Sequence, residues 1–245
     1  MSTPPAAPTA QPDAGQPDAA RSDAGLPGAA RSDAGRFEAV LFDMDGTLVD
    51  SAASVVRCWL RLAEEHGITT EALHAAAGHG RPARDIVAGL FPPADREAAL
   101  ARITHLEVTD VDGVVPLPGA EDALRTSGAR GAIVTSCTSV LAVARQRAAG
   151  ITVPAVVVTA DDVARGKPDP EPFLTAARIL GVDPSRCLVV EDAPAGLAAG
   201  RAAGMTTLAV STTHTADQLV ADHVVGDLSD VRLAATQDGL LLHLR

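Results

Sequence analysis

Aromatic residues make up only 2% of this 245-residue chain, tyrosine is absent and tryptophan occurs once. A core must therefore be assembled from Ala, Val and Leu, and the 47% hydrophobic content is enough for one domain of ordinary size plus an insertion. Cysteine is sparse as well. Cys58, Cys137 and Cys187 are scattered, make neither a zinc pattern nor an even disulfide framework, and suit a reducing cytoplasm. No apolar run approaches the roughly eighteen residues needed to span a bilayer, and the N-terminus lacks the basic-then-apolar layout of a secretion signal. Positive charge is also in short supply. The net charge of −11 and the lack of a basic stripe argue against a general affinity for nucleic acid or for an anionic membrane. Scarcest of all is lysine: of 20 basic residues all but Lys167 are arginine, and Lys167 lies inside Gly-Lys-Pro-Asp-Pro. Chance retention of one lysine is the plain alternative, but a compact ammonium is the cation that fits as a point charge beside a carboxylate and a phosphate.

Residues 1–35 stand apart. Gln-Pro-Asp-Ala occurs at 11–14 and again at 16–19, and Ala-Arg-Ser-Asp-Ala-Gly at 20–25 and again at 30–35. Rich in Pro, Ala, Gly and Asp, this stretch cannot bury enough surface to offset the entropy of ordering, so a disordered low-complexity tail is expected. From Arg36 onward, short β-rich runs alternate with Ala-rich helical stretches. Residues 38–42, 131–135, 155–159, 187–190 and 206–210 read as buried strands, with Gly150, Gly181 and Gly204 placed where helices should stop. Such alternation predicts an α/β fold, a Rossmann-like doubly wound parallel sheet whose binding crevice lies beyond the carboxyl ends of the strands. Between residues 51 and 115 it is interrupted by helical stretches at 53–65, 70–77, 83–90 and 95–109, which read as an inserted helical cap. The expected organisation is a tail at 1–35, a core formed by 36–50 and 116–245, and a cap at 51–115.

Candidate chemistry sits at the strand ends. Asp43 and Asp45 directly follow the first apolar run, Gly46 permits a sharp turn, and Thr47 can offer its hydroxyl or N–H to an anion. Two acids one residue apart on a rigid strand tip can divide the work, one attacking and the other handling a proton. Asp-X-Asp-Gly also opens calcium loops, but those run between two helices and close on a glutamate at position twelve, which Thr-Leu-Val-Asp-Ser after a strand does not resemble. Thr135 and Ser136 follow the second strand, Lys167 precedes another helix, and Glu191 and Asp192 follow the fourth strand. Taken singly, a Thr-Ser or Glu-Asp pair before a helix is an ordinary cap or a favourable dipole partner. Their occurrence at four separate junctions points to phosphoryl transfer.

With these motifs the chain resembles the haloacid dehalogenase (HAD) superfamily, in the branch with a helical cap after the first strand. The resemblance is carried by Asp-Met-Asp-Gly-Thr-Leu-Val-Asp-Ser (43–51), Ile-Val-Thr-Ser (133–136), Gly-Lys-Pro-Asp-Pro-Glu-Pro (166–172) and Val-Val-Glu-Asp-Ala-Pro-Ala-Gly (189–196), and it covers Phe37 to about Asp230. It implies that Asp43 is the nucleophile and Asp45 the acid and base. It further implies Mg²⁺ held by Asp43, the backbone carbonyl of Asp45 and Asp192, with Glu191 direct or one layer out. Thr47, Thr135, Ser136 and Lys167 would bind the phosphate. An acid at Asp45 speaks against a dehalogenase. A cap without lysine speaks against phosphonate cleavage.

Within the cap, residues 78–85 together with Trp59 and Glu107 resemble sugar, polyol and deoxysugar phosphate phosphatases more than β-phosphoglucomutase. His79 and Arg81 would reach hydroxyls or phosphate, Trp59 would wall the pocket or simply pack in the core, and Glu107 would accept hydroxyl bonds or join a solvated helix face. The expectation is a Mg²⁺-dependent, cytoplasmic phosphatase of small phosphorylated sugars or polyols, a monomer or weak homo-oligomer with no nucleic-acid or membrane partner. The alternatives are a phosphosugar mutase and a non-catalytic binding module.

Overall fold

The computed structural model describes residues 1–3, 32–76 and 83–245. All of its regular elements belong to the compact unit Arg31–Arg245. Six strands, β2 (Ala39–Phe42), β5 (Gly131–Val134), β6 (Val156–Val158), β7 (Cys187–Glu191), β8 (Thr206–Val210) and β9 (His223–Val225), form one sheet in the order β6-β5-β2-β7-β8-β9. Every pairing in it is parallel. Strands covered on both faces read as unbroken apolar runs, and β2, β5 and β7 are buried at every residue.

Alternation along β2 divides the core. Val40 and Phe42 face the cluster containing Ala120, Ala123 and Leu124 of α5 (Ala120–Ser127) and Ala142 and Ala149 of α6 (Ser139–Ala149). Ala39 and Leu41 face the opposite cluster, with Phe173, Ala176 and Ala177 of α7 (Glu171–Leu180) and Ala199 of α8 (Pro194–Ala202). Helices thus cover both faces of a Rossmann-like sheet. The chain winds outward from β2 through β5 to β6 and then restarts on the other side at β7, so the order reverses at β2. A crevice opens where strand order reverses, and Asp43 is the first residue beyond β2.

Two short strands, β3 (Val49–Asp50) and β4 (Val115–Pro116), pair antiparallel and bracket four helices: α1 (Ala52–Glu65), α2 (Thr70–Ala76), α3 (Ala83–Leu90) and α4 (Arg96–Thr109). These helices have a core of their own, built from Cys58, Trp59, Leu62, Leu73, Ile86, Phe91, Ile103 and Leu106. Helix α4 packs against α6.

A three-stranded antiparallel sheet was not anticipated. It joins β1 (Ser32–Phe37) to β11 (Gly239–Leu244) and β10 (Val231–Thr236). Residues 32–35, read from composition as tail, are therefore part of a strand, because pairing with β11 supplies the backbone partners that their own side chains do not specify. Phe37 is buried against the same cluster as Leu240 and Leu242. Truncation immediately before Ser32 is expected to leave the melting temperature unchanged, whereas truncation through Phe37 removes the β11 partner and the Phe37 side chain. Losing about 2–3 kcal/mol of aromatic burial should lower the midpoint by roughly 5 °C or more, as read by thermal denaturation. Equal midpoints for the two truncations would contradict this placement of β1.

Candidate active site

Lys167 organises the crevice. Its ammonium donates to Asp43 Oδ1 at 2.5 Å, to Glu191 Oε1 at 2.7 Å and to the Val134 carbonyl at 2.8 Å, so one buried group ties together the ends of β2, β5 and β7. The Phe173 ring lies 5.0 Å from the same nitrogen. Burial works against the charge on Lys167, but Asp43 and Glu191 outweigh it and hold the ammonium more firmly protonated than usual. Glu191 is occupied on both oxygens, since Oε2 accepts the backbone N–H groups of Asp192 at 3.1 Å and Ala193 at 3.0 Å. The sequence makes room for it. A Cβ at Gly196, in the first turn of α8, would fall inside the Glu191 carboxyl group.

Asp192 is held from two sides, with Thr47 donating to Oδ1 at 3.3 Å and Thr213 donating to Oδ2. Gly46 turns the chain at φ +85°, and any side chain there would collide with Asp192. Thr212 donates to the Gly46 carbonyl, so the segment after β8 closes over the turn after β2.

Asp43, Glu191 and Asp192 each offer a carboxylate oxygen, all within 4.8 Å of one another. Three buried acids face one ammonium, and the imbalance is visible electrostatically. Burial above all, then Glu191 and Asp192, holds Asp43 well above the usual carboxylate range despite Lys167. Burial and then Glu191 push Asp192 up to about 7. Hard oxygen donors with surplus negative charge suit a divalent cation such as Mg²⁺, so the residues present fit the implied metal.

Asp45 points elsewhere. Ser51 donates to its Oδ1 at 2.6 Å, the Cys137 thiol donates to Oδ2 at 3.0 Å, and Arg145 Nη1 pairs with Oδ2 at 2.9 Å. Burial and then Asp45 push the Cys137 thiol well above its ordinary value, which keeps it a donor. Arg145, 4% exposed on α6, also reaches Glu107 of α4 at 3.3 Å.

The structure thus gathers Asp43, Thr47, Lys167, Glu191 and Asp192, with Asp45 beside them. Thr135 is buried one residue past the Lys167-bound Val134 carbonyl, and Ser136 is exposed next to it. Trp59 is 6% exposed within the core shared by α1 to α4, and Glu107 is engaged by Arg145. His79 and Arg81 lie outside the described residues. Sequence reasoning missed Ser51, Cys137, Arg145 and Thr213. Ser51 had a signal in its place inside the Asp43 motif, and Arg145 had one in its register with the buried face of α6.

The site is thus a lysine-bridged cluster of acids at the switch point of a doubly wound parallel sheet. The chain belongs to the haloacid dehalogenase-like hydrolases, whose family model matches residues 37–204. It is 44% identical over 183 residues to hexitol phosphatase A of Escherichia coli strain K12, covering 72% of this chain and 84% of that one. It is 34% identical to validoxylamine A 7'-phosphate phosphatase of Streptomyces hygroscopicus subsp. limoneus, covering 80% and 96%. A solved HAD family hydrolase from Deinococcus radiodurans R1, with bound phosphate and sodium, superposes with a TM-score of 0.60 at 30% identity, covering 79% and 93%. No helix among the described residues is long and apolar enough to cross a membrane, and the three cysteines are free.

A raised carboxylate pKa sets a pH dependence whose sign can be worked out. Folded Asp192 keeps its proton up to about 7 against a usual 3.8, so its contribution to stability is full below the lower value and lost as pH rises through the upper one. A cation that replaces the proton restores what is lost. The rise in melting temperature produced by Mg²⁺ is therefore expected to grow as pH increases from about 5 to about 8. A Mg²⁺ effect that is constant or shrinks over that range would contradict the cluster as a metal site.

Proposed function

We propose that this protein is a Mg²⁺-dependent phosphatase that releases inorganic phosphate from small phosphorylated sugars or polyols through an aspartyl phosphate on Asp43. The observation that carries the reading is the division of the two acids: Asp43 is bound to Lys167 in the acid cluster, while Asp45 is held apart from that cluster by Ser51 and Arg145. Nucleophile and proton carrier are separated by one residue of chain and by different partners.

In the first step an Asp43 oxygen bonds to phosphorus as the bond from phosphorus to the substrate oxygen breaks, and Asp45 gives its proton to that departing oxygen, which leaves as an alcohol. In the second, Asp45, now a carboxylate, takes a proton from water while the water oxygen bonds to phosphorus. The Asp43 bond to phosphorus breaks and phosphate departs. Lys167, Thr47, Thr135 and the Ser136 N–H are assigned to the phosphoryl oxygens, where fixed donors stabilise developing charge. Mg²⁺, held by the carboxylates of Asp43 and Asp192 and the backbone carbonyl of Asp45, would supply positive charge that draws nucleophile and phosphoryl oxygens together. Glu191 in this reading holds Lys167 and lies against the metal directly or one layer out.

The substrate class rests on the names of the relatives, a hexitol phosphatase and the phosphatase of a validoxylamine phosphate. His79 and Arg81 remain the assigned contacts of the cap with substrate hydroxyls, whereas Glu107, buried against Arg145, is assigned to that pair instead; the free thiols agree with a reducing cytoplasm. Incubation with hexitol, hexose, pentose and glycerol phosphates plus Mg²⁺ is expected to release phosphate, and Asp43→Asn to lower the rate by roughly a thousandfold or more. Isomer exchange without release would point to a mutase, and silence across the panel to a binding module. Full activity of Asp43→Asn or of chelator-treated protein would overturn the reading.

A further inference from the structure

Helix α6 buries Leu141, Ala142, Gln146 and Ala149, and in the same stripe it buries Arg145, whose side chain is 5% exposed. Removing a guanidinium from water is costly unless its donors are satisfied. Here the two terminal nitrogens point in different directions. Nη1 lies 2.9 Å from Asp45 Oδ2 and 3.2 Å from the Cys137 sulfur, while Nη2 donates to Glu107 Oε1 at 3.3 Å. Nε is buried without a partner. A planar guanidinium fixes the angle between the groups that it holds, and Glu107, 7% exposed, belongs to α4, in the helical insertion that the chain makes between β3 and β4. Ser51 holds the other Asp45 oxygen at 2.6 Å. The orientation of the Asp45 carboxyl is thereby set jointly by its own loop and by the seating of α4.

The geometry points to Arg145 as a positioning residue: it aims Asp45 at the departing oxygen and, through Glu107, makes that aim depend on α4 lying in register over α6. This rests on Asp45 being the proton donor of the proposed reaction. The role is distinguishable from mere packing because a misaimed acid matters only when the departing group needs its proton. An alcohol does; p-nitrophenolate leaves without one.

The test is rapid-quench measurement of the first turnover with sorbitol 6-phosphate and with p-nitrophenyl phosphate, each with Mg²⁺, for the parent, Asp45→Asn, Arg145→Met and Glu107→Gln. Asp45→Asn should lose alcohol release selectively, which establishes the acid. Arg145→Met should then slow alcohol release by about tenfold to a hundredfold while p-nitrophenol release stays within about threefold of the parent and KM changes little. Glu107→Gln keeps the Arg145–Asp45 pair and should show the same selectivity at several-fold size, so it decides the matter if Arg145→Met does not fold. A selective Asp45→Asn with Arg145→Met and Glu107→Gln slowed equally on both substrates, or slowed on neither, overturns the positioning role and leaves the proposed function standing. An unselective Asp45→Asn overturns the acid role of Asp45 and the positioning role with it.

Discussion

One buried ammonium sets the terms for the rest of this site. Lys167 binds a carboxylate from the end of β2, a carbonyl from the end of β5 and a carboxylate from the end of β7, so three neighbouring strands are held in register where their side chains must cooperate. A buried ion pair is an uncertain source of stability, but removing one partner leaves uncompensated charge and costs about 3–5 kcal/mol. The arrangement is therefore stiff. It also leaves negative charge unbalanced around Asp43 and Asp192, which solvent does little to relieve because both residues are buried.

A second constraint follows from the first. With Asp43 fixed in the acid cluster, the other acid needs separate support, and the turn after β2 provides it by sending Asp45 toward Ser51, Cys137 and Arg145. Gly46 allows that turn and leaves room for Asp192, while Thr213 and Thr47 hold the Asp192 oxygens. Small residues and hydroxyls do the positioning around the cluster, and larger charged groups connect it outward. The helical insertion meets the sheet domain at the same place, through α4 against α6 and Glu107 against Arg145.

Much of this was legible in the residues. The central strands read as unbroken apolar runs because both faces are covered, and the strand-end motifs stand out because their chemistry requires particular groups immediately past those runs. Other parts carry weak local signals. Residues 32–35 have no large apolar side chain, and only the partner strand β11 makes them a strand. The β10–β11 hairpin turns at Gln237-Asp238, with Gly239 opening β11, and the Asp-Gly pair there is a turn signal that lies beyond the last family motif. A helix arginine in an arginine-rich chain reads as a solvated charge, yet Arg145 falls in register with Leu141, Ala142 and Ala149, and that spacing marks the buried face. Glu107 read as a substrate contact because nothing in its own helix reveals a partner on α6. Thr213 sits in an irregular segment where no periodicity applies, so its grip on Asp192 exists only in three dimensions.

Of everything inferred, the identity of the phosphoryl acceptor is the point on which the chemistry turns. Acid-quenching the Mg²⁺-loaded enzyme during turnover of a hexitol phosphate, followed by peptide mass spectrometry, reads it directly. The account predicts a phosphoryl group on the peptide spanning the first strand end, assigned to Asp43. A phosphoryl group on any other residue, or steady turnover with Asp43 never modified, would contradict it.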